Sequence, residues 1–261
     1  MIGISMWAIL FGILGVNGPG MLGDDTVVTS NGSPANGNWG LSYQADNQVP
    51  IGNETQGYLK EFNAYYIDDD GTEDKFIYLT FDAGYENGYT ASMLDTLKEK
   101  DAKAVFFVTL SYVKQNPKLV QRMIEEGHIV GNHTMHHLQG LKVKTPYYLD
   151  DIKEADGYIH SRLFRPPHGF LTPKQARLIR EQYTIIMYDL ITRDYSRHLT
   201  ADQVFDNVRR YTRDGSIIVF HDSIKSMPRL REALPRSIEW LMEQGYQFKT
   251  FDTHPSTTDT K

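Results

Sequence analysis

Cysteine is absent from the 261 residues. That removes disulfides, thiolate metal ligands and thiol nucleophiles at once, and it leaves the redox compartment open. A basic excess is absent too: 27 Lys and Arg stand against 33 Asp and Glu, for a net charge of −6. Such a chain offers no positive field to a nucleic-acid backbone. No apolar run has the length of a comfortable membrane span. Residues 2–16 come nearest and have the length of a signal-peptide apolar core. No Lys or Arg precedes this run and no A-x-A site follows it. An export segment over residues 1–20, cleaved or kept as an anchor, is the favoured reading, with an irregular arm packed on the domain as the alternative. Internal repeats are absent as well.

What is present is ordinary globular material, 40% apolar and 23% charged, in a length that one α/β domain commonly fills. Residues 21–60 are rich in Gly, Asn, Ser and Asp and read as a linker and N-terminal extension, in which Trp39 is expected to dock on something. Residues 68–71 read as a solvated acidic turn, because the remaining spacing of a calcium loop is missing. From residue 76 the pattern becomes regular. Apolar runs at 76–82, 104–109, 128–132, 163–165, 184–188, 216–221 and 247–251 predict strands. Amphipathic stretches at 91–100, 117–126, 146–158, 173–182, 201–213 and 230–244 predict helices. Strands alternating with helices imply an α/β fold with a parallel sheet covered on both faces. About seven such units suggest a single domain over residues 61–252, a distorted (β/α)7 barrel, with a tail over 253–261.

Polar residues interrupt these strands at their ends. Asp82 ends the first, His133 follows the third, Arg165 ends the fourth and His221 the sixth. Asp189 ends the fifth, and Asp194 lies in the loop after it. Sites in α/β sheets form at the C-terminal ends of strands, so these residues are expected to converge. In the run from His133 to His137, one helical turn would place His133 and His137 on one face, able to share an ion, with His136 pointing elsewhere. Neutral imidazoles suit a divalent metal; zinc is favoured, and cobalt, nickel or manganese would also serve. Arg165-Pro166-Pro167-His168-Gly169 reads as a rigid turn that aims an Arg side chain and a backbone N–H into a site.

These segments resemble the polysaccharide deacetylase family, the NodB-type domain of carbohydrate esterases. The match rests on Thr80-Phe81-Asp82-Ala83-Gly84, His133-Thr134-x-x-His137, Arg165-Pro166-Pro167-x-Gly169, Asp189 through Asp194-Tyr195, and Ile218-Val219-Phe220-His221. Asn38-Trp39-Gly40 and Tyr85-Glu86-Asn87-Gly88-Tyr89-Thr90 resemble the branch that deacetylates peptidoglycan N-acetylmuramic acid on the way to the muramic δ-lactam of spore cortex. The resemblance implies a metal-assisted, secreted or envelope-associated hydrolase that removes N-acetyl groups from peptidoglycan, with a monomer expected and no nucleic-acid partner. It implies Asp82 as general base, Arg165 as its partner, His221 as general acid and Asp194 as the carboxylate beside that acid. It implies His133 and His137 as metal ligands and the backbone N–H of His168 as an oxyanion donor. Tyr85 and Tyr195 are candidates for stacking on sugar. Ala83 departs from the family, which usually has a second Asp there as third ligand. Water, or Asp82 swinging in, is expected to fill that place in preference to Glu86. The alternatives are a catalytically silent glycan-binding protein and an esterase acting on O-acetyl groups.

Overall fold

The computed structural model describes residues 37–43, 49–68, 71, 74–86 and 88–251. The expected export segment, the tail, Asp69 and Asp70 of the acidic turn, and Asn87 lie outside the described residues.

Ahead of the first predicted strand the chain already forms β1 (Leu41–Ser42), β2 (Ile51–Gly52), α1 (Gln56–Lys60) and β3 (Ala64–Tyr65). The alternating part follows as β4 (Phe76–Ala83), α2 (Thr90–Glu99), β5 (Val105–Val108), α3 (Leu110–Gln115), α4 (Pro117–Glu125), β6 (Ile129–Asn132), α5 (Thr145–Ile159) and β7 (Leu163–Phe164). It closes with α6 (Pro173–Ile179), β8 (Thr184–Ile186), β9 (Leu190–Ile191), α7 (Ala201–Tyr211), β10 (Ser216–Asp222), α8 (Met227–Glu243) and β11 (Gln247–Lys249). β1 and β2 pair with each other. The other nine strands form one parallel sheet in the order β3-β8-β7-β6-β5-β4-β10-β9, with β11 against the start of β4. This is the α/β distorted barrel, a parallel sheet curled through part of a circle.

The predicted strands and helices are present within a few residues. The sequence reading missed α3. Its first residue continues the apolar run of β5, so no change of period marks the boundary. The Thr109 side chain sets it by accepting the N–H of Tyr112. Elsewhere the signals are plain: α6 and α7 each start at a capping box, Thr172 with Gln175 and Thr200 with Gln203.

Alternation along β4 divides its side chains between two cores. Ile77, Leu79, Phe81 and Ala83 join Met93, Leu94 and Leu97 of α2 and Leu230, Leu234 and Ile238 of α8. Phe81 stacks between Phe106 and Phe220 there, with centroids 4.9 and 6.0 Å away. Phe76 and Tyr78 face the inside of the curl, with Phe107, Phe164 and Val219. Thr80 and Asp82 follow on that inner side, because side chains two apart share a face.

Trp39 is fully buried in the inner core, its ring 5.5 Å from that of Phe62. The Trp39 backbone N–H donates to the Gly169 carbonyl, and the Leu171 backbone N–H donates to the Gly37 carbonyl. Residues 37–40 thus strap the turn that follows Arg165. Gly169 is required there: it has φ 72°, and a Cβ would lie 3.3 Å from the Gly40 nitrogen.

Candidate active site

β4 and β10 run in parallel with His221 in register with Asp82. Adjacent strands lie about 4.8 Å apart, so the two side chains emerge side by side on the inner face. Arg165 enters the same face from beyond β7 and is completely buried. Its Nη1 donates to Asp82 Oδ1 at 2.8 Å and to Thr80 Oγ1 at 2.9 Å. Nε and Nη2 donate to the carbonyls of Ile186 and Met187. The guanidinium rests on the Phe107 ring, 4.1 Å from its centroid. A Cβ on Gly131 would lie 2.6 Å from that ring, so only glycine in β6 lets Phe107 occupy this place. Burial by itself would push the Asp82 carboxyl up. Arg165, with His133 and His221 adding to it, holds the carboxyl below its usual range and keeps it ionised.

His221 is paired with Asp194, which is wholly buried. Asp194 Oδ1 lies 2.8 Å from His221 Nδ1, and Oδ2 accepts the His221 backbone N–H at 2.7 Å. Arg229 Nε donates to the Asp194 carbonyl. With Nδ1 protonated toward the carboxylate, Nε2 is the nitrogen left for the site. Burial lowers this imidazole's pKa, but Asp194 outweighs burial and the net shift is upward. The Tyr195 ring packs edge-on against His221 at 4.8 Å, one wall of the site. Tyr85 stays outside, 43% exposed in the loop after β4.

His133 and His137 do come together, though by another route than a helical turn. The segment from His133 to His137 is an irregular loop in which Thr134 and His137 have φ of 70° and 57°. Asn132 and Asp151, neither of them singled out from the sequence, hold it in shape. Asn132 Oδ1 accepts the Thr134 N–H, and its Nδ2 donates to the Ile152 carbonyl. Asp151 Oδ2 accepts the N–H groups of Met135 and His136, and Oδ1 lies 2.6 Å from His136 Nδ1. His136 is therefore structural. The ring centroids of His133 and His137 are 5.0 Å apart, and His168 packs against His137 at 4.7 Å. His133 Nδ1 lies 2.8 Å from the Arg165 carbonyl and its Nε2 lies 3.9 Å from Asp82 Oδ2. Loss of solvent lowers the pKa of both His133 and His137, which keeps them neutral, as a metal ligand must be.

The donors fit a divalent ion in kind: two neutral imidazoles beside a carboxylate. They fall short in number. Ala83 is buried in the helix-facing core, on the opposite side of β4 from Asp82. Among the described residues no group of three or more His, Cys, Asp or Glu side chains is arranged to hold an ion. Glu86 is committed elsewhere, since its carboxylate accepts the N–H groups of Gly88 and Thr90 at the start of α2.

Asp189 is the one strand-end residue that the sequence reading misplaced. It lies at the opposite end of the sheet, where it accepts from Ser216 Oγ and the Ile217 N–H at the start of β10 and pairs with Arg213. Burial raises its pKa to about 6. The carbonyls of Ile186 and Met187 go to Arg165, and β8 ends before the chain turns down toward Asp189.

The sequence profile described as polysaccharide deacetylase matches residues 69–185. A peptidoglycan-N-acetylmuramic acid deacetylase of Bacillus subtilis, PdaA, is 32% identical over 227 residues, covering 82% of this chain and 84% of the relative. The solved structure of that protein, described as a family 4 carbohydrate esterase, superposes with a TM-score of 0.70 at 31% identity, covering 81% of this chain and 93% of that one. A family 4 pseudoenzyme of Bacillus anthracis superposes with a TM-score of 0.64 at 26% identity, over 71% of this chain and 66% of that one.

Proposed function

The chain belongs to the polysaccharide deacetylase family, and on that premise we propose that it hydrolyses the N-acetyl group of amino sugars in peptidoglycan, N-acetylmuramic acid first among them. The observation that carries this reading is the in-register pair of Asp82, held ionised by Arg165, and His221, held protonatable by Asp194. Amide hydrolysis needs a proton taken from the attacking water and a proton given to the departing nitrogen. Asp82 takes a proton from water as its oxygen bonds to the acetyl carbon. The negative charge that develops on the carbonyl oxygen is met by the backbone N–H of His168. His221 delivers its proton to the nitrogen as the C–N bond breaks, and acetate and a free amino sugar leave. A divalent ion held by His133 and His137, when bound, supplies Lewis-acid polarisation of the carbonyl and of the water. Arg165 orients Asp82, and Tyr195 presents an aromatic face to the sugar.

With peptidoglycan as substrate, we infer export to the cell envelope, and the muramic branch would imply a role in sporulation. No helix among the described residues is long and apolar enough to cross a membrane. The test is acetate release from purified peptidoglycan and from chitooligosaccharides, with zinc, cobalt, nickel and manganese added in turn. No release from either, with folded protein, refutes the proposal. A second reading, a glycan-binding protein without turnover, is favoured by Ala83 alone. It predicts glycan binding that survives His133→Ala, with no acetate formed.

A further inference from the structure

Asp222 is a buried carboxylate that takes no part in the proton transfers. It ends β10 directly after His221. Successive strand residues point to opposite faces, so it turns away from the site, on the same face as Phe220 in the helix-facing core. It is completely buried there. Taking a charged side chain out of water is costly unless it is well partnered, and an apolar residue of similar volume would fill the place without that cost. Its Oδ2 accepts the hydroxyl of Thr90, equally buried, at 2.6 Å. Tyr112 stands close by: burial raises the pKa of its phenol, and the Asp222 carboxylate raises it further.

This bond joins two points that the sheet itself leaves apart. Base and acid stand on β4 and β10, which pair in register from Ile77 with Ser216 to Ala83 with Asp222. Asp82 and His221 are the pair before the last. Beyond it the strands part, β4 running through residues 84–89 into α2 and β10 through residues 223–226 into α8. Asp222 is the last residue of β10 and Thr90 the first of α2. Their bond therefore crosses from the strand of the acid to the helix that follows the strand of the base. It holds one end of the loop between Ala83 and Thr90. Thr109 holds the other, donating its N–H to the Ala83 carbonyl and its hydroxyl to the Gly84 carbonyl. Glu86 tightens the same loop from within, and Tyr85 stands exposed on it.

We propose that Asp222 is a positioning residue for the acid–base pair: with Thr90 it forms a clasp just behind the ends of β4 and β10, which fixes His221 relative to Asp82 and holds the loop that bears Tyr85. Neither residue touches the substrate, and both act through the strand ends. A hydroxyl–carboxylate bond of this length is strong and directional inside a protein, whereas apolar packing by itself permits sliding. The distinction matters at this place, because productive geometry in a catalytic pair must be held within about 0.5 Å. The inference deepens the deacetylase reading and rests on it for the activity that the clasp serves.

The experiment is a double-mutant cycle on the full chain, with Thr90→Val, which removes the hydroxyl at nearly constant shape, Asp222→Ala and the double variant. Asp222→Asn is added because it keeps an oxygen able to accept from Thr90. Unfolding curves show which variants are folded at the assay temperature. On the glycan from which wild type releases acetate, Thr90→Val and Asp222→Ala are expected to lower kcat about tenfold or more with KM little changed, since a misplacement of about 1 Å can cost about 100-fold. The double variant is expected to fall no further than the lower single, and Asp222→Asn to keep most of the rate. Where Asp222→Ala does not fold, loss in Thr90→Val with retention in Asp222→Asn decides. The ring signals of His221 in a heteronuclear NMR spectrum are expected to move in Thr90→Val and Asp222→Ala and to stay in Asp222→Asn. Wild-type kcat in folded Thr90→Val, or losses that multiply in the double variant, overturn the proposal and leave the pair as a support of the fold, with the deacetylase reading intact. If wild type releases no acetate from any glycan, that reading falls and the His221 signals decide the clasp: a shift in Thr90→Val upholds it, and unmoved signals overturn it.

Discussion

Replacing Arg165 by methionine tests whether the site is built on its guanidinium. Methionine keeps a long unbranched side chain and removes every donor. Four interactions go at once: the ion pair with Asp82 at 2.8 Å, the bond to Thr80 Oγ1, and the bonds to the carbonyls of Ile186 and Met187. Breaking a buried pair by removing one partner costs about 3–5 kcal/mol. The low end applies, because the Asp82 side chain keeps 14% exposure and water can reach it. Each orphaned carbonyl adds about 1 kcal/mol or more. The expected loss is about 5 kcal/mol or more, a large share of the ~5–15 kcal/mol that holds a domain folded.

The pH dependence carries a sign. In the wild type Asp82 titrates below its usual value, so its ionised form stabilises the fold above that value, and the stabilisation is lost as pH falls through the depressed pKa. Without Arg165 burial dominates and the carboxyl titrates above its usual value. The stability gap between Arg165→Met and wild type should therefore be widest near neutral pH and narrow toward about pH 4. The acidic limb of the acetate-release profile should move to higher pH for the same reason. Urea unfolding at several pH values and the pH–rate profile measure both. A loss under about 1 kcal/mol, or a gap independent of pH, would refute the reasoning.

Asp194→Asn removes the charge that raises the His221 pKa. The alkaline limb of the pH–rate profile should move to lower pH. The stability that the pair adds below the ordinary imidazole pKa, and loses as pH rises through the raised one, should vanish from a comparison of unfolding at pH 5.5 and 9. Asp151→Ala leaves the loop from Met135 to His137 without three of its bonds, and metal affinity should fall about 10–100-fold by competition with a chromophoric chelator. Gly131→Ala forces a methyl against Phe107, 2.6 Å from the ring as it stands. Its cost should be about 1–3 kcal/mol in thermal unfolding, and activity should fall with it because Phe107 supports Arg165.

Residues that announce themselves in sequence here are those whose chemistry conflicts with their surroundings. Asp82 and His221 end apolar strands, and a charged group there is conspicuous whatever the fold. Residues that act through packing or through backbone bonds are silent. Asp151 looks like any acid on a helix, and only the loop brought to its side shows why it is there. Glu86 reads equally well as a free carboxylate or as a helix cap, and the cap is what forms. The left-handed conformations of Thr134 and His137 replace a helical turn because Asn132 and Asp151 compete for the same N–H groups. Asp189 shared every sequence feature of a strand-end site residue, and the length of β8 sent it to the other end of the sheet.

The sequence by itself determined the alternation of strands and helices, the parallel sheet and the polar residues that end its apolar strands. Period, capping and buried charge are local or compositional signals, written in the order of residues. Only the tertiary structure decided that Asp82 and His221 are neighbours in register, that position 83 faces the helices, and that His168 stands beside His137. Those facts depend on which strand pairs with which and on the face each residue takes. Residues 139 and 31 positions apart meet only when the sheet has closed around them.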